Sequence, residues 1–184
     1  MIPELGHFLL IIAAMTALLA PAVVFYGIRR GDDFYAGFSR PASLLTALML
    51  TLSTAALVWA FLTDDFSVAY VANHSNTKLA PAYKAAALWG SHEGSMLLWI
   101  WLMAVGTAGA GFVRCADRLF TARLQGLMLA VLAGFCAFLL FTSNPFLRNL
   151  PMVPPDGRDL NPILQDIGMI LHPPVLFMGY AGLA

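Results

Sequence analysis

The stretch LGHFLLIIAAMTALLAPAVVFYGIRR (residues 5–30) decides the fold class. No Asp, Glu, Lys or Arg occurs from residue 5 to residue 28, and the pair Arg29-Arg30 closes the run. As a helix rising about 1.5 Å per residue, such a run covers the roughly 30 Å of bilayer hydrocarbon. It shows no alternation of the kind a half-buried strand requires. A lipid-exposed segment must also satisfy its own backbone hydrogen bonds, so the reading is helical. A secretory signal peptide carries its basic residues in front of the apolar run, whereas here they follow it, so a spanning helix is the better account.

The rest of the chain repeats the pattern. Of 184 residues, 60% are hydrophobic and 11% charged, with mean hydropathy +0.77. The formal net charge is zero, so nothing marks a nucleic-acid partner. Further uncharged tracts cover 41–62, 94–113 and 124–142, and a fifth begins at Pro173 and runs to Ala184. The expected fold is all-α and polytopic, with four complete spans and the start of a fifth, too short here to cross. That brevity reads as a truncation or as one piece of a split protein. Pro21 should kink the first span or free a carbonyl for a neighbour. GTAGAG (106–111) offers a small-residue face for close helix contact. Cys115, in a basic loop, and Cys136, inside the fourth tract, sit at different depths, so they are not read as a disulfide.

Orientation follows from Lys and Arg in the loops. Arg29, Arg30 and Arg40 crowd one short loop, and Arg114, Arg118 and Arg123 crowd another. The long loops 63–93 and 143–172 carry only Lys78 and Lys84, and Arg148 and Arg158. Positive-inside counting places the short loops in the cytoplasm and the N-terminus and long loops outside.

The second long loop has local order. Asn161-Pro162 suits a helix start. Leu160, Ile163, Leu164 and Ile167 then share one face, with Gln165 and Asp166 opposite and Gly168 as the stop. The expectation is a short amphipathic helix lying on the outer surface before the chain re-enters the membrane at His172. Pro173 disfavours αR for His172, and Pro173-Pro174 stiffen the turn that follows. This histidine either caps the fifth helix or serves as an axial ligand to a haem iron, and spacing leaves both open. The first long loop ends in ALWGSHEGSMLLWIW (87–101), where Trp89, Trp99 and Trp101 form an interfacial aromatic belt or a surface for a planar ligand. His92 and Glu93 form a polar pair at the membrane edge, so Trp89, His92 and Glu93 make a candidate outer patch. His7 reads as a satisfied interfacial residue, and His74 as solvent-exposed. No P-loop, HExxH, GxGxxG in its strand context or Ser/His/Asp set occurs, so nucleotide and hydrolytic chemistry lack support.

Four stretches, MIPELGHF, YKAAALWGSHEGSMLLWIW, FTSNPF and PPDGRDLNPILQDIGMILHPPVLFMGY, cover nearly the whole chain in order. They resemble the N-terminal part of the CcmF family of cytochrome c-type biogenesis proteins. The resemblance implies a multi-pass haem lyase subunit of the bacterial inner membrane, or of an organellar inner membrane if organelle-encoded. It implies b-type haem received from the chaperone CcmE at the periplasmic face and joined covalently to apocytochrome c, with CcmH and CcmI as partners. It places His172, with Pro173, Pro174 and Asp166 beside it, at the first of two outer-face haem ligands. The second ligand, a membrane histidine pair for a structural haem b and the tryptophan-rich WWD segment would all lie beyond Ala184. Trp89–Trp101 is not that WWD segment, and Ile167 stands where the family often has proline. Two other classes stay open. A haem or ion transporter would need ionisable groups at mid-membrane, where the four tracts offer only His7 near one end. A docking scaffold without its own haem site is not separable by sequence.

Overall fold

The computed structural model describes residues 1–113 and 117–183, with side chains at all of these except 163 and 169. Arg114 and Cys115, counted in the short basic loop above, lie outside the described residues. Eight α-helices follow in order: α1 Ile2–Arg30, α2 Asp33–Gly37, α3 Ser39–Leu62, α4 Ala69–His74, α5 Pro81–Ala86, α6 His92–Ala110, α7 Arg118–Thr142 and α8 Ile167–Leu183. Short 3-10 turns occupy Ala87–Trp89 and Pro162–Leu164.

The long helices form a four-membered ring in which α1 packs on α3 and α7, and α6 packs on the same two. Alanines at 13, 17 and 20 on α1 are fully or almost fully buried. Their one-turn spacing lets backbones approach closely, which is how helices gain contact where lipid supplies no hydrophobic drive. Across that seam the Ser53 hydroxyl donates to the Gly6 carbonyl at 2.9 Å. Leu50, Leu57 and Phe61 of α3, Leu97 and Ile100 of α6, and Leu129, Leu132, Cys136 and Leu139 of α7 fill the interior.

The outward faces are apolar too. Phe8, Met15, Leu18 and Leu19 of α1 are each about half exposed. Only 33% of the most apolar stretch of α1 is buried although its mean hydropathy is 2.6. A helix hydrophobic on all sides and bare on most of them suits lipid, not water. Three helical segments, Ile2–Arg30, Asp33–Leu62 and Arg118–Thr142, are long and apolar enough to cross a membrane. The segment expected to span at 94–113 is α6; its 19 residues rise about 28 Å. It falls outside that set, since His92 and Glu93 take up its first turn.

Several expectations resolve or change in detail. α1 continues through Pro21, whose missing N–H leaves the Ala17 carbonyl without its helical partner, one of the two outcomes expected there. In the GTAGAG stretch, Gly106 and Gly109 face open space, while Thr107 and Ala108 are buried and Gly111 lies close to Gln125. The short interfacial helix over 160–167 is a single 3-10 turn, and the fifth long helix starts at Ile167, six residues ahead of Pro173. The physical reason is Asp166: its Oδ1 accepts the Gly168 N–H at 2.7 Å, so the helix is capped there and not at Asn161. His172 is therefore helical, and Pro173-Pro174 lie inside α8. Their missing N–H groups remove two ladder bonds, to the carbonyls of residues 169 and 170.

Candidate functional site

At the end of the bundle opposite the arginine-rich turns, the two long loops interlock into one cap. Val68 and Arg148 form an isolated antiparallel bridge. Ala69 N–H donates to Leu147 O at 2.8 Å, and Asn149 N–H to Ser67 O at 2.8 Å. Arg158 N–H donates to Ala72 O at 2.7 Å. The Arg148 guanidinium reaches both Glu4 at 3.0 Å and Asp65 at 3.5 Å, tying the cap to the first turn of α1. Lys84, only 6% exposed, is held by both carboxylate oxygens of Asp64 at 2.6 and 2.7 Å. A buried ammonium is tolerable only with such a partner.

Asp156 fastens the tip of the second loop. Its Oδ1 accepts from Thr77 N–H at 3.1 Å and Gly157 N–H at 2.8 Å, and its Oδ2 from the Thr77 hydroxyl at 3.0 Å. The Thr77 N–H bond first, then that from Gly157, hold this carboxyl below the usual carboxylate range.

The WGSHEG turn in front of α6 is pinned by a residue that sequence reasoning did not single out. Tyr70, from α4, is buried, and its hydroxyl donates to Leu88 O at 3.0 Å while accepting the Ser91 N–H at 3.2 Å. Burial pushes this phenol above its ordinary value, so it stays protonated and can keep both roles. Gly94 closes the same turn: a Cβ there would lie 1.7 Å from Leu88 O and 2.6 Å from the Tyr70 hydroxyl. Only glycine fits that approach. Leu160 of the second loop lies against Gly90, bringing the 160s segment onto the tryptophan turn.

The expected residues distribute as follows. Trp89 is half-buried and packs on the core. His92 is exposed and sets its ring edge-on to Phe138, with centroids 5.9 Å apart. Half-buried Glu93 accepts from the Ser91 hydroxyl at 3.3 Å. These three sit around one turn. Trp99 and Trp101 diverge: Trp99 packs on Phe135 of α7 at 4.8 Å, while Trp101 Nε1 donates to Thr51 of α3 at 2.8 Å. Two residues apart on a helix point to nearly opposite sides, so they cannot share a flat surface.

His7 has a partner, as expected. Asn144 Nδ2 lies 3.2 Å from His7 Nε2, and the amide is oriented because its oxygen accepts Phe146 N–H at 2.9 Å. His74 is half-buried, not solvent-exposed: its Nδ1–H donates to Tyr70 O at 2.9 Å, and its ring packs on Tyr70. Among the described residues no group of three or more His, Cys, Asp or Glu side chains gathers to hold a metal ion.

His172, like His92, is exposed and has no hydrogen bond to another described residue; unlike His92, it has no ring contact with one either. It sits on α8 beside exposed Leu171, Val175 and Leu176, with Asp166 capping the helix start and Pro173-Pro174 stiffening the following turn. A free imidazole on a stiff, apolar helix face is the donor set that an iron porphyrin requires. An exposed imidazole with apolar neighbours has the chemistry of one ligand to a haem iron.

Comparison with known proteins gives a consistent answer. The profile of the family described as "Cytochrome C assembly protein" matches residues 89–184. A cytochrome c-type biogenesis protein CcmF of Pseudomonas aeruginosa is 48% identical over 183 residues, covering 99% of this chain and 28% of that protein. The CcmF of Escherichia coli is 47% identical over 183 residues, again covering 99% of this chain and 28% of the relative. A solved structure titled "Cytochrome c Heme Lyase CcmF" superposes with TM-score 0.83 at 26% identity, over all of this chain and 28% of that one. The chain thus spans under a third of the length of these relatives.

Proposed function

The chain belongs to the cytochrome c assembly protein family, and from that premise we propose that it forms the first helices and the outer cap of an inner-membrane machine that attaches haem to apocytochrome c. In this reading haem is cargo, brought by CcmE and passed to apocytochrome thiols, with CcmH and CcmI as accessory partners. His172 supplies one axial nitrogen to the haem iron. Asp166 fixes where α8 begins, and Pro173 and Pro174 fix how the imidazole is presented. The cap, with Trp89, His92 and Glu93 around its tightest turn, supports the apocytochrome or the chaperone on the periplasmic side.

The observation that carries this is the exposed imidazole of His172, with no hydrogen bond or ring contact to a described residue, one step before Pro173-Pro174 in α8 and beside exposed Leu171, Val175 and Leu176. His7 and His74 are held by a side-chain amide and a backbone carbonyl, while His92 is exposed and meets only the edge of the Phe138 ring. Chemically, the chain's own residues orient and hold: a neutral imidazole offers its lone pair, and the Tyr70–Gly94 turn keeps the neighbouring surface fixed. Bound haem would supply the vinyl groups that react with thiols. The test is His172→Ala in the complete protein, with c-type and b-type haem measured separately. Covalent c-type haem should vanish while b-type haem persists; c-type haem persisting at normal protein level contradicts the assignment.

A further inference from the structure

The opposite end of the bundle holds a cavity of about 510 Å³ that the haem reading does not use. Its walls come from α2, the start of α3, the end of α6 and the start of α7. Among the described residues two guanidinium groups line it, Arg40 and Arg118, against one lining carboxylate, Asp33. Neither arginine makes an ion pair with a described residue; Arg40 rests over the Phe112 ring with its Cζ 4.7 Å from the centroid.

The floor is polar but already satisfied. Gln125, 1% exposed, accepts from the Ser39 hydroxyl at 3.0 Å and donates to Ser43 Oγ at 3.0 Å and to Thr107 O at 3.1 Å. Gly111 leaves the wall open, since a Cβ there would lie 2.8 Å from Gln125 Nε2 and 3.4 Å from Arg40 Cγ. Phe34 at 81% and Phe120 at 57% exposure stand bare on α2 and α7, two of the helices that form the cavity. Two cations lining one cavity, with exposed aromatics on the same elements at the ends of membrane-length helices, match a ligand with an anionic head and apolar chains. Basic pockets between spanning helices recognise anionic lipids by this combination.

We propose that this cavity binds the phosphate of an anionic phospholipid, with Arg40 and Arg118 neutralising the headgroup and exposed apolar side chains nearby in sequence, such as Phe34 and Phe120, meeting its acyl chains. The inference is independent of the haem reading. It is tested on the delipidated full-length protein by thermal unfolding with phosphatidylglycerol, phosphatidylcholine or inorganic phosphate. A ligand that binds only the folded state raises the melting temperature. Phosphatidylglycerol should raise it while the other two do not. An equal rise with phosphatidylcholine overturns the headgroup recognition, a rise with inorganic phosphate overturns the lipid as the source, and no rise overturns the site. Lipid mass spectrometry of the purified protein adds a second readout. Arg40→Gln with Arg118→Gln should retain about tenfold less phosphatidylglycerol, whereas Arg123→Gln, outside the cavity, and the charge-keeping Arg40→Lys with Arg118→Lys should retain it. Equal retention by the double glutamine variant contradicts the proposal.

Discussion

Tyr70 and Asp166 carry more of the cap than their sequence context suggests. Tyr70→Phe leaves Leu88 O and Ser91 N–H without their partner, at a cost of about 1–3 kcal/mol. Thermal unfolding of the full-length protein should register that loss, and Gly94→Ala should lose more because the added methyl meets backbone. Asp166→Ala removes a helix cap worth about 1 kcal/mol. Asp166→Asn should keep it, so hydrogen exchange at the first turn of α8 should quicken in the alanine variant only. His172 was legible from its place before two prolines, but its backbone was not. Proline bias argued for an extended residue, and the stronger local signal was a carboxylate two residues ahead of Gly168, which starts the helix earlier. Tyr70 carried no signal at all, because a tyrosine in a loop declares nothing until the turn it supports, twenty residues on, is placed.

The long helices were readable because uncharged runs of roughly twenty residues have few other fates. The elements between them were not. The loop 63–93 folds into α4, α5 and a 3-10 turn whose order comes from partners distant in sequence, such as Asp64 for Lys84 and residues 147–158 for α4. The 160s show the reverse case: a good amphipathic spacing yields one 3-10 turn, because Leu160 is drawn onto Gly90 and Asp166 ends the segment. The join between the loops should depend on pH through Asp156. Its carboxyl titrates below its unfolded value, so its contribution is complete above the usual carboxylate range and is lost as pH falls through the lower, folded value. Limited proteolysis across residues 150–158 should therefore accelerate in acid, and Asp156→Ala should show that faster cleavage at neutral pH. Cleavage of the alanine variant at the wild-type rate would remove Asp156 from the join.

Taken whole, the molecule has one end closed by interlocked loops and another edged by arginines around a cavity. The sidedness assigned from those arginines can be checked by labelling. In a Cys115→Ala background, with Cys136 buried in the bundle, an impermeant maleimide should reach Asn73→Cys from the periplasmic face. It should reach Phe34→Cys only after the membrane is broken, and the reverse pattern would invert the topology. The central claim is that the exposed imidazole of His172 ligates haem at the capped end, and ligand rescue tests it most directly. His172→Gly in the complete protein should abolish covalent haem attachment, and imidazole added to the cells should restore it by filling the vacated coordination position. Attachment that survives His172→Gly without imidazole, at normal protein level, would contradict the account.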